Sequence, residues 1–309
     1  MSESSVTAFA PATVANLGPG FDVLGLAVQS LGDTVSVQRS QVSGVRVTQI
    51  TGDDGALPKD PQKNTAAVAA RAVLEAAGID AGLELTIEKG LPLCSGLGSS
   101  AASAAAAAFA TNALLGSPLR KVELIGPCVE AEAVVSGRHA DNVAPALLGG
   151  LVLVRSVDPV DVVRLPVPEG VTVVVVTPNC SLPTKEARDA LPEAVSIPSM
   201  VEQSAQLAAF VSACYAGDLP LLSRSLPDPV VTPSRLPLIP GAEQAIEAAL
   251  GAGALGASIS GAGPSLFALC RSARSADRVA LALSSAFLAV GLESSVHVSP
   301  ADCPGARRV

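Results

Sequence analysis

The segment with the most specific chemical pattern is residues 92–103, Pro-Leu-Cys-Ser-Gly-Leu-Gly-Ser-Ser-Ala-Ala-Ser. Gly96 and Gly98 permit a tight backbone path that can present several N–H groups to a ligand. Ser99 and Ser100 then begin an Ala-rich predicted helix, whose first turn has unpaired N–H donors and the positive end of the helix dipole. A glycine loop that leads into a helix in this way is suited to bind phosphate, and a serine hydroxyl can also reach Mg²⁺.

The same loop is also compatible with an ordinary glycine turn followed by a serine helix cap. It lacks both the Gly-Lys-Ser/Thr of a P-loop and the glycine spacing of a Rossmann fold. Residues 10–22 form a second segment rich in turn formers, interpreted as a loop that carries the polar residues Asn16 and Asp22. Residues 259–265 form a third, a strand followed by a glycine loop. Three such segments in one chain favour a ligand site.

Composition limits the function classes. The chain has 309 residues, of which 49% are hydrophobic and 16% charged, so it is expected to fold around a large core. A net charge of −8 without a Lys/Arg-rich run argues against a nucleic-acid partner. The sequence has no secretory signal and no run of roughly 20 strongly apolar residues, which predicts no membrane segment. The cysteines have neither Cys-x-x-Cys nor zinc-site spacing, which predicts reduced thiols in a cytoplasmic protein; they are Cys94, Cys128, Cys180, Cys214, Cys270 and Cys303.

The elements that must position these loops follow from hydrophobic periodicity. A Pro- and Asp-containing stretch, residues 157–170, is the candidate junction between domains at 1–156 and 157–309. Strands are predicted at 34–38, 45–48, 83–88, 151–155, 171–177, 257–259, 266–269 and 294–298. Helices are predicted at 65–77, 99–115, 121–135, 200–216, 219–225, 241–250 and 275–290. This order predicts an α+β protein in two lobes.

The three loop segments resemble the signature segments of the GHMP kinase superfamily, in the expected order, from about residue 8 to residue 267. Within that superfamily the chain is similar to the homoserine kinases in three segments. These are Ala-Thr-Val-Ala-Asn-Leu-Gly-Pro-Gly-Phe-Asp at 12–22, Ser-Gly-Arg-His-Ala-Asp-Asn-Val-Ala-Pro at 136–145 and Arg-Leu-Pro-Leu-Ile-Pro-Gly at 235–241. The resemblance implies an N-terminal mixed-sheet ATP-binding lobe, a ferredoxin-like C-terminal lobe, and ATP-dependent phosphorylation of L-homoserine between them. A homodimer is usual in the family.

The resemblance also implies roles for individual residues. Asn64 matches the position that faces adenine, and Ser99 and Glu132 match the Mg²⁺ ligands. Glu130 competes for the metal role, and without the resemblance Glu132 would be interpreted as a solvated helix carboxylate. The loop that wraps the ATP phosphates would be Pro92, Leu93, Cys94, Ser95, Gly96, Leu97, Gly98, Ser99 and Ser100.

On the substrate side, Arg188 and Arg235 match two substrate-binding arginines, whose planar fork suits a carboxylate. Asp22 suits the ammonium group. His139 is equally compatible with a structural histidine, and each of the other residues is compatible with a surface or capping role. The implied substrate-binding set is Asn16, Asp22, His139, Asn142, Thr184, Arg188, Arg235 and Gly261, and Asn16, Asn142, Arg188 and Arg235 are the catalytic candidates.

The motifs contain no obvious Asp/Lys base pair of the kind used by mevalonate kinase and galactokinase. We therefore expect in-line transfer by positioning and charge neutralisation, without a dedicated strong base such as Asp141. Cys94 stands where relatives commonly have glycine, and Thr232 where they often have glutamate. The alternatives are another small-molecule kinase of the superfamily, such as a mevalonate kinase, and a non-catalytic nucleotide- or amino-acid-binding protein.

Overall fold

The computed structural model describes residues 3–309. The strands are β1 Ser5–Asn16, β2 Gly20–Ser40, β3 Gly44–Thr51, β4 Gly82–Glu88, β5 Leu151–Val157, β6 Val160–Leu165, β7 Thr172–Pro178, β8 Gly256–Ile259, β9 Leu266–Cys270, β10 Ser294–Pro300 and β11 Arg307–Arg308. The helices are α1 Thr65–Ala77, α2 Ser99–Leu114, α3 Ile125–Ala133, α4 Val143–Leu148, α5 Thr184–Asp189, α6 Ile197–Ala216, α7 Leu219–Arg224, α8 Val231–Arg235, α9 Ala242–Gly251 and α10 Ala273–Ala289. In the described part of the chain, none of the helices is long and apolar enough to cross a membrane.

The first sheet has the strand order β11-β1-β2-β4-β3, and the hairpin β5–β6 branches from it by pairing with β2. Only the β3–β4 pair is parallel among the pairs of this sheet, which makes it a mixed sheet, as expected. Helices α1 to α4 pack against one another, and α2 also packs on β1 and β2. Their buried residues form one apolar cluster with the sheet.

The second sheet has the strand order β10-β7-β9-β8 and is antiparallel throughout. Along the chain its strands and helices follow a β-α-β-β-α-β sequence, so the prediction of a ferredoxin-like lobe is confirmed. Alternate residues of β7 lie in different apolar clusters: Val173 and Val175 pack toward the first sheet, and Val174 and Val176 pack with α9 and α10. Burial of both faces explains why this strand is continuously apolar rather than alternating.

Local sequence signals predicted α1 correctly at both ends, because Asn64 caps its first turn and Gly78 ends it. The interpretation of residues 10–22 as a loop is wrong. Strand β1 continues to Asn16 and β2 begins at Gly20, so only a tight turn separates them. Residues 10–16 are all buried, which removes the period-two alternation by which half-buried strands are recognised.

Two short strands join the ends of the second predicted domain to the first sheet. Strand β6 lies inside the predicted junction 157–170 and pairs with β5. Strand β11, near the C-terminus, pairs with β1. Strands from both sides of residue 156 thus share one sheet. The division of the chain into two domains at this residue stays a prediction.

Helix α2 owes its position to its small side chains. Residues 101–108 are all buried, seven of them alanines, and the helix is surrounded by α1, α3, α4, β1 and β2. Alanine has the best helix propensity and allows close approach on every side. The helix can therefore carry its N-terminus into the centre of the molecule, directly after the glycine loop.

Replacement of Ala106 by leucine is expected to lower the free energy of unfolding by about 1–3 kcal/mol, because this fully buried position has no room for three more carbons. Ala113→Leu, at a half-buried position of the same helix, is the matched control and should change it by about 0.5 kcal/mol or less. Urea unfolding measures both. Equal effects of the two substitutions would contradict close packing around α2.

Candidate active site

A cavity of about 510 Å³ lies where the three glycine-containing segments meet. Its wall combines the loop after β4, the start of α1, the C-terminal half of α3, residues 139–142, the start of α5 and Arg235. Most of the residues predicted for ATP and substrate binding line this one cavity, although they come from both halves of the chain. Those that line it are Asn16, Asp22, Asn64, Leu93, Cys94, Ser95, Gly96, Gly98, Ser99, Ser100, Glu132, His139, Asn142, Thr184, Arg188, Arg235 and Gly261.

The glycine loop is held by the other two segments. The Ser260 hydroxyl donates to the Gly96 carbonyl at 2.8 Å, and the Thr13 backbone N–H donates to the Leu97 carbonyl at 3.0 Å. Both loop glycines have left-handed φ angles, 77° for Gly96 and 65° for Gly98. A Cβ on Gly96 would lie 2.5 Å from the Ser260 carbonyl oxygen, so glycine is required for this close approach.

Cys94 also has a left-handed backbone, with φ of 53°, which fits the glycine that relatives commonly have there. Its side chain is exposed, whereas Cys128, Cys214, Cys270 and Cys303 are buried. Two residues predicted for phosphate binding do not line the cavity. Leu97 is buried in the apolar cluster between the sheets, and Pro92 is exposed, with its carbonyl accepting from the Ser95 hydroxyl at 2.9 Å.

A buried ion pair that the sequence analysis missed joins both ends of this loop. The Lys89 and Asp33 side chains contact each other and are 1% and 0% exposed. Lys89 also donates to the Ser99 carbonyl and to the Ser103 hydroxyl, each at 2.9 Å. The other Asp33 oxygen accepts from the N–H groups of Gly90 and Leu91 at 3.0 and 3.2 Å. Burial lowers the pKa of Lys89, and the Asp33 carboxylate opposes this shift.

Two of the residues that line the cavity have a buried side-chain oxygen without a hydrogen-bond partner within residues 3–309: Oγ of Ser99 and Oε1 of Glu132. The other Glu132 oxygen accepts from the Ser136 hydroxyl at 3.0 Å. Burial raises the pKa of Glu132, which is 5% exposed, and the hydroxyls of Ser100 and Ser136 oppose this shift. A carboxylate and a hydroxyl with free lone pairs are suitable ligands for Mg²⁺. Glu130, in contrast, forms an exposed ion pair with Arg138 at 2.5 Å.

The opposite end of the cavity carries the predicted substrate residues. The Arg188 guanidinium donates to the Asp22 carboxylate at 3.1 and 3.3 Å, and Nδ1 of His139 lies 3.4 Å from the same carboxylate. Burial lowers the pKa of His139, and Asp22 opposes this shift. Asn16 joins the turn to the third segment, since its amide nitrogen donates to the Gly261 carbonyl at 2.9 Å and its oxygen accepts from the Asp22 N–H.

Arg235 is held rigidly, being only 2% exposed. Its Nε donates to the Ala187 carbonyl at 3.0 Å and its Nη1 to the Gly261 carbonyl at 2.9 Å. Thr232, at the position where the family resemblance leads us to expect a glutamate, donates its hydroxyl to the Asp228 carboxylate at 2.8 Å. Burial lowers the pKa of Arg235, and Asp22 and Asp228 are among the carboxylates that oppose this shift. Asp228 thus provides negative charge near Arg235 despite the substitution.

Two further predicted residues have mainly structural contacts. The Asn64 amide oxygen accepts from the backbone N–H groups of Ala66 and Ala67, and its nitrogen donates to the Pro58 carbonyl. Its contact with adenine stays a prediction. The Asn142 amide oxygen accepts from the Thr13 hydroxyl at 2.7 Å, which ties the segment 136–145 to β1.

Asp141 is a cavity residue to which the sequence analysis gave no binding role. It is 3% exposed, and burial together with the nearby Asp22 raises its pKa to about 7. Sequence signals for the missed residues existed but were weak. Lys89 directly precedes the glycine loop, and Asp33 is the one charged residue of β2 between Asp22 and Arg39.

Two family models match the chain, the GHMP kinases N terminal domain over residues 64–150 and the GHMP kinases C terminal over residues 210–289. A homoserine kinase of Chlorobium phaeobacteroides strain BS1 is 43% identical, covering 98% of this chain and 99% of the relative. A homoserine kinase of Xanthomonas campestris pv. campestris strain B100 is 45% identical, covering 97% of this chain and 92% of the relative. The crystal structure of homoserine kinase from Cytophaga hutchinsonii matches with a TM-score of 0.97 and 45% identity, covering 100% of this chain and 98% of that chain.

Lys89→Met is expected to lower the free energy of unfolding by about 3–5 kcal/mol, because it leaves the Asp33 carboxylate buried and uncompensated. The KM for ATP should rise more than the KM for the second substrate, since the Ser99 carbonyl at the end of the loop loses its donor. Urea unfolding and steady-state kinetics measure the two effects.

The matched control is Arg46→Met, which removes the cation of an exposed pair with Glu84 and should cost about 1 kcal/mol or less. The double variant Lys89→Met/Asp33→Asn should recover part of the lost stability, because no unpaired charge remains. Equal losses for Lys89→Met and Arg46→Met would contradict the role assigned to the buried pair.

Proposed function

The chain belongs to the GHMP kinases and, among them, to the homoserine kinases, and we propose that it transfers the γ-phosphoryl group of ATP to the side-chain hydroxyl of L-homoserine. The products are ADP, O-phospho-L-homoserine and a proton. The observation that supports this most is the single cavity that combines a glycine loop at a helix N-terminus with paired Asp and Arg side chains. We place the reaction in threonine biosynthesis and the enzyme in the cytoplasm.

We propose that the loop from Leu93 to Ser100 binds the ATP phosphates. Its backbone and the first turn of α2 offer N–H groups, and the helix dipole is positive there. The Lys89 ammonium, whose charge is balanced by Asp33, fixes the Ser99 carbonyl at the end of this loop. Because these groups are already held by the fold, binding ATP needs little reorganisation. Asn64, at the start of α1, is our candidate for the adenine side.

Ser99 and Glu132 are the residues that would hold Mg²⁺, since each has a buried oxygen without a partner among residues 3–309. When bound, the metal neutralises charge that builds up on the phosphate oxygens. The raised pKa of Glu132 is consistent with a carboxylate that lacks its cation, because burial alone disfavours the charged form.

The amino-acid end of L-homoserine carries one positive and one negative charge, and the cavity offers the Asp22 carboxylate and two guanidinium groups for them. We propose that Arg188 and Arg235 bind the substrate carboxylate and that Asp22 binds the ammonium group, with Asn16, His139, Asn142, Thr184 and Gly261 completing the pocket. A zwitterion can replace the Asp22–Arg188 pair without leaving either charge unpaired.

We propose that the hydroxyl attacks the γ-phosphorus in line, while the bond from phosphorus to the ADP oxygen breaks and the hydroxyl proton passes to the phosphate or to solvent. A loose transition state of this kind requires positioning and charge stabilisation more than a strong base. Asp141 is not assigned the role of a base.

Two other functions fit the residues of the cavity less well. A kinase of mevalonate type would use the same glycine loop, but its substrate has no ammonium group to pair with Asp22. A non-catalytic binding protein would not require the oxygens of Ser99 and Glu132 to stay free and to face the cavity together. A homodimer is usual in the family, and we include it in the proposal.

An assay of ADP release with Mg-ATP and a panel of L-homoserine, L-serine, L-threonine and mevalonate tests the function. We expect turnover with L-homoserine and little with the others, because in this panel only L-homoserine combines the zwitterion with a hydroxyl on the γ carbon. Turnover with mevalonate would keep the kinase but overturn the pocket assignment. No turnover with ATP still bound would support the non-catalytic alternative.

A matched pair of variants excludes a contaminating kinase in this assay. Glu132→Gln should abolish most turnover, because it removes the charge of a proposed metal ligand. Glu130→Gln, which breaks only the exposed pair with Arg138, should keep turnover close to that of the wild type.

Asp141→Asn tests whether a base is needed. We expect kcat to fall by less than about tenfold, whereas loss of a general base typically costs roughly 10²–10⁴-fold. Calorimetry must show that the variant still binds ATP and L-homoserine. Loss of turnover with both ligands bound would contradict a mechanism without a dedicated base.

The thermal stability of Asp141→Asn should also depend on pH differently from that of the wild type. Burial raises the pKa of Asp141 to about 7, so the folded protein binds the proton of this carboxyl group more tightly than the unfolded chain does. The resulting stabilisation is complete at low pH and is lost as the pH rises from the ordinary pKa of an aspartate through 7. Asparagine cannot ionise. The Tm of the variant relative to that of the wild type should therefore be higher at pH 8 than at pH 5.

A further inference from the structure

The side chain of Phe21 lies against both substrate-side arginines. The guanidinium carbon of Arg188 is 5.5 Å from the centre of the Phe21 ring, and that of Arg235 is 5.2 Å from it. Phe21 is half-buried and lies at the start of β2, directly before Asp22. One aromatic ring thus contacts two cations that reach it from α5 and from α8.

Two guanidinium groups near one ring repel each other, and this repulsion contributes to the lowered pKa of Arg235. The two cations are stabilised by different partners. Asp22 pairs with Arg188, whereas Arg235 donates to two backbone carbonyls, which carry no full charge. The negative face of an aromatic ring attracts a cation within about 6 Å, and more strongly where water is excluded. Among residues 3–309, Phe21 is the aromatic residue whose ring lies within 6 Å of both guanidiniums.

Arg188 is the less constrained of the two. Its Nε is buried without a hydrogen-bond partner among residues 3–309, and its two terminal nitrogens both contact Asp22. When a substrate ammonium group competes for Asp22, Arg188 loses part of this pairing. The contact with Phe21 does not depend on Asp22, so it can keep the guanidinium in the pocket while the substrate carboxylate binds.

We propose that Phe21 is a positioning residue for substrate recognition: its ring holds the guanidiniums of Arg188 and Arg235 in the pocket, so that both can receive one carboxylate. The inference rests on the proposed function, because it assigns the carboxylate of L-homoserine as the group that the two arginines receive. It adds that an aromatic side chain at position 21, and not merely an apolar one, determines the affinity for this carboxylate.

Phe21→Leu keeps an apolar side chain but removes the ring. The KM for L-homoserine should rise about tenfold, while kcat and the KM for ATP stay within about twofold of the wild type. Phe21→Tyr and Phe21→Trp keep a ring face and should restore the KM for L-homoserine to within about threefold. Phe21→Met is a second apolar replacement, should the leucine variant fold poorly.

The matched control is Phe9→Leu, which removes a ring–arginine contact of the same kind at another place in the fold. The Phe9 ring lies 4.5 Å from the Arg307 guanidinium, in the first sheet and outside the cavity. This variant should leave the KM for L-homoserine unchanged, even if its Tm falls.

The outcomes separate this inference from the proposed function. Wild-type protein that neither binds nor phosphorylates L-homoserine would overturn both. Wild-type activity with an unchanged KM in Phe21→Leu and Phe21→Met would overturn the inference alone. The inference would also be overturned if Phe21→Leu lowered kcat and raised both KM values by similar factors, and if Phe21→Tyr and Phe21→Trp did not restore them. Such a result would indicate a general packing role.

Discussion

The buried ion pair between Asp33 and Lys89 is the interaction on which the cavity depends. It joins a strand of the first sheet, the end of β4 and the first turns of α2, so both ends of the glycine loop are fixed by one pair of charges. Burying charges is costly unless they are paired and hydrogen-bonded, and here the two side chains share partners that meet this requirement. The loop is therefore shaped before any nucleotide binds.

The substrate end of the cavity is organised by a turn rather than by a buried pair. Asn16, Leu17 and Asp22 all have left-handed φ angles, of 72°, 48° and 58°. Non-glycine residues rarely adopt this conformation, and its cost is met by the contacts of the surrounding structure. In the glycine loop Cys94 has the same kind of backbone. Of the seven non-glycine residues with this backbone among residues 3–309, four thus lie in the two segments to which we assign ligand binding.

The two ends are coupled by hydrogen bonds between segments that are far apart in the chain. Thr13 bonds to Asn142, Asn16 to Gly261, and Ser260 to the carbonyl of Gly96. Each of these contacts joins one glycine-containing segment, or the segment 136–145, to another. These short, direct contacts therefore hold the turn at residues 16–22 and the glycine loop in one rigid frame.

The sequence by itself determined the local elements and the type of chemistry. The Asn64 cap and Gly78 stop define α1, the glycine loop precedes an alanine helix, and the motif order identified the family. Tertiary structure placed Glu132 in the cavity wall and Glu130 in an exposed ion pair, which the residues alone had left open. Only tertiary structure decided that Leu97 belongs to the core and that Asp33, Lys89 and Phe21 support the site. The physical reason is that caps and periodicity act within a few residues, whereas these contacts join residues as far apart as Asp33 and Lys89, which meet only when sheet pairing fixes their register.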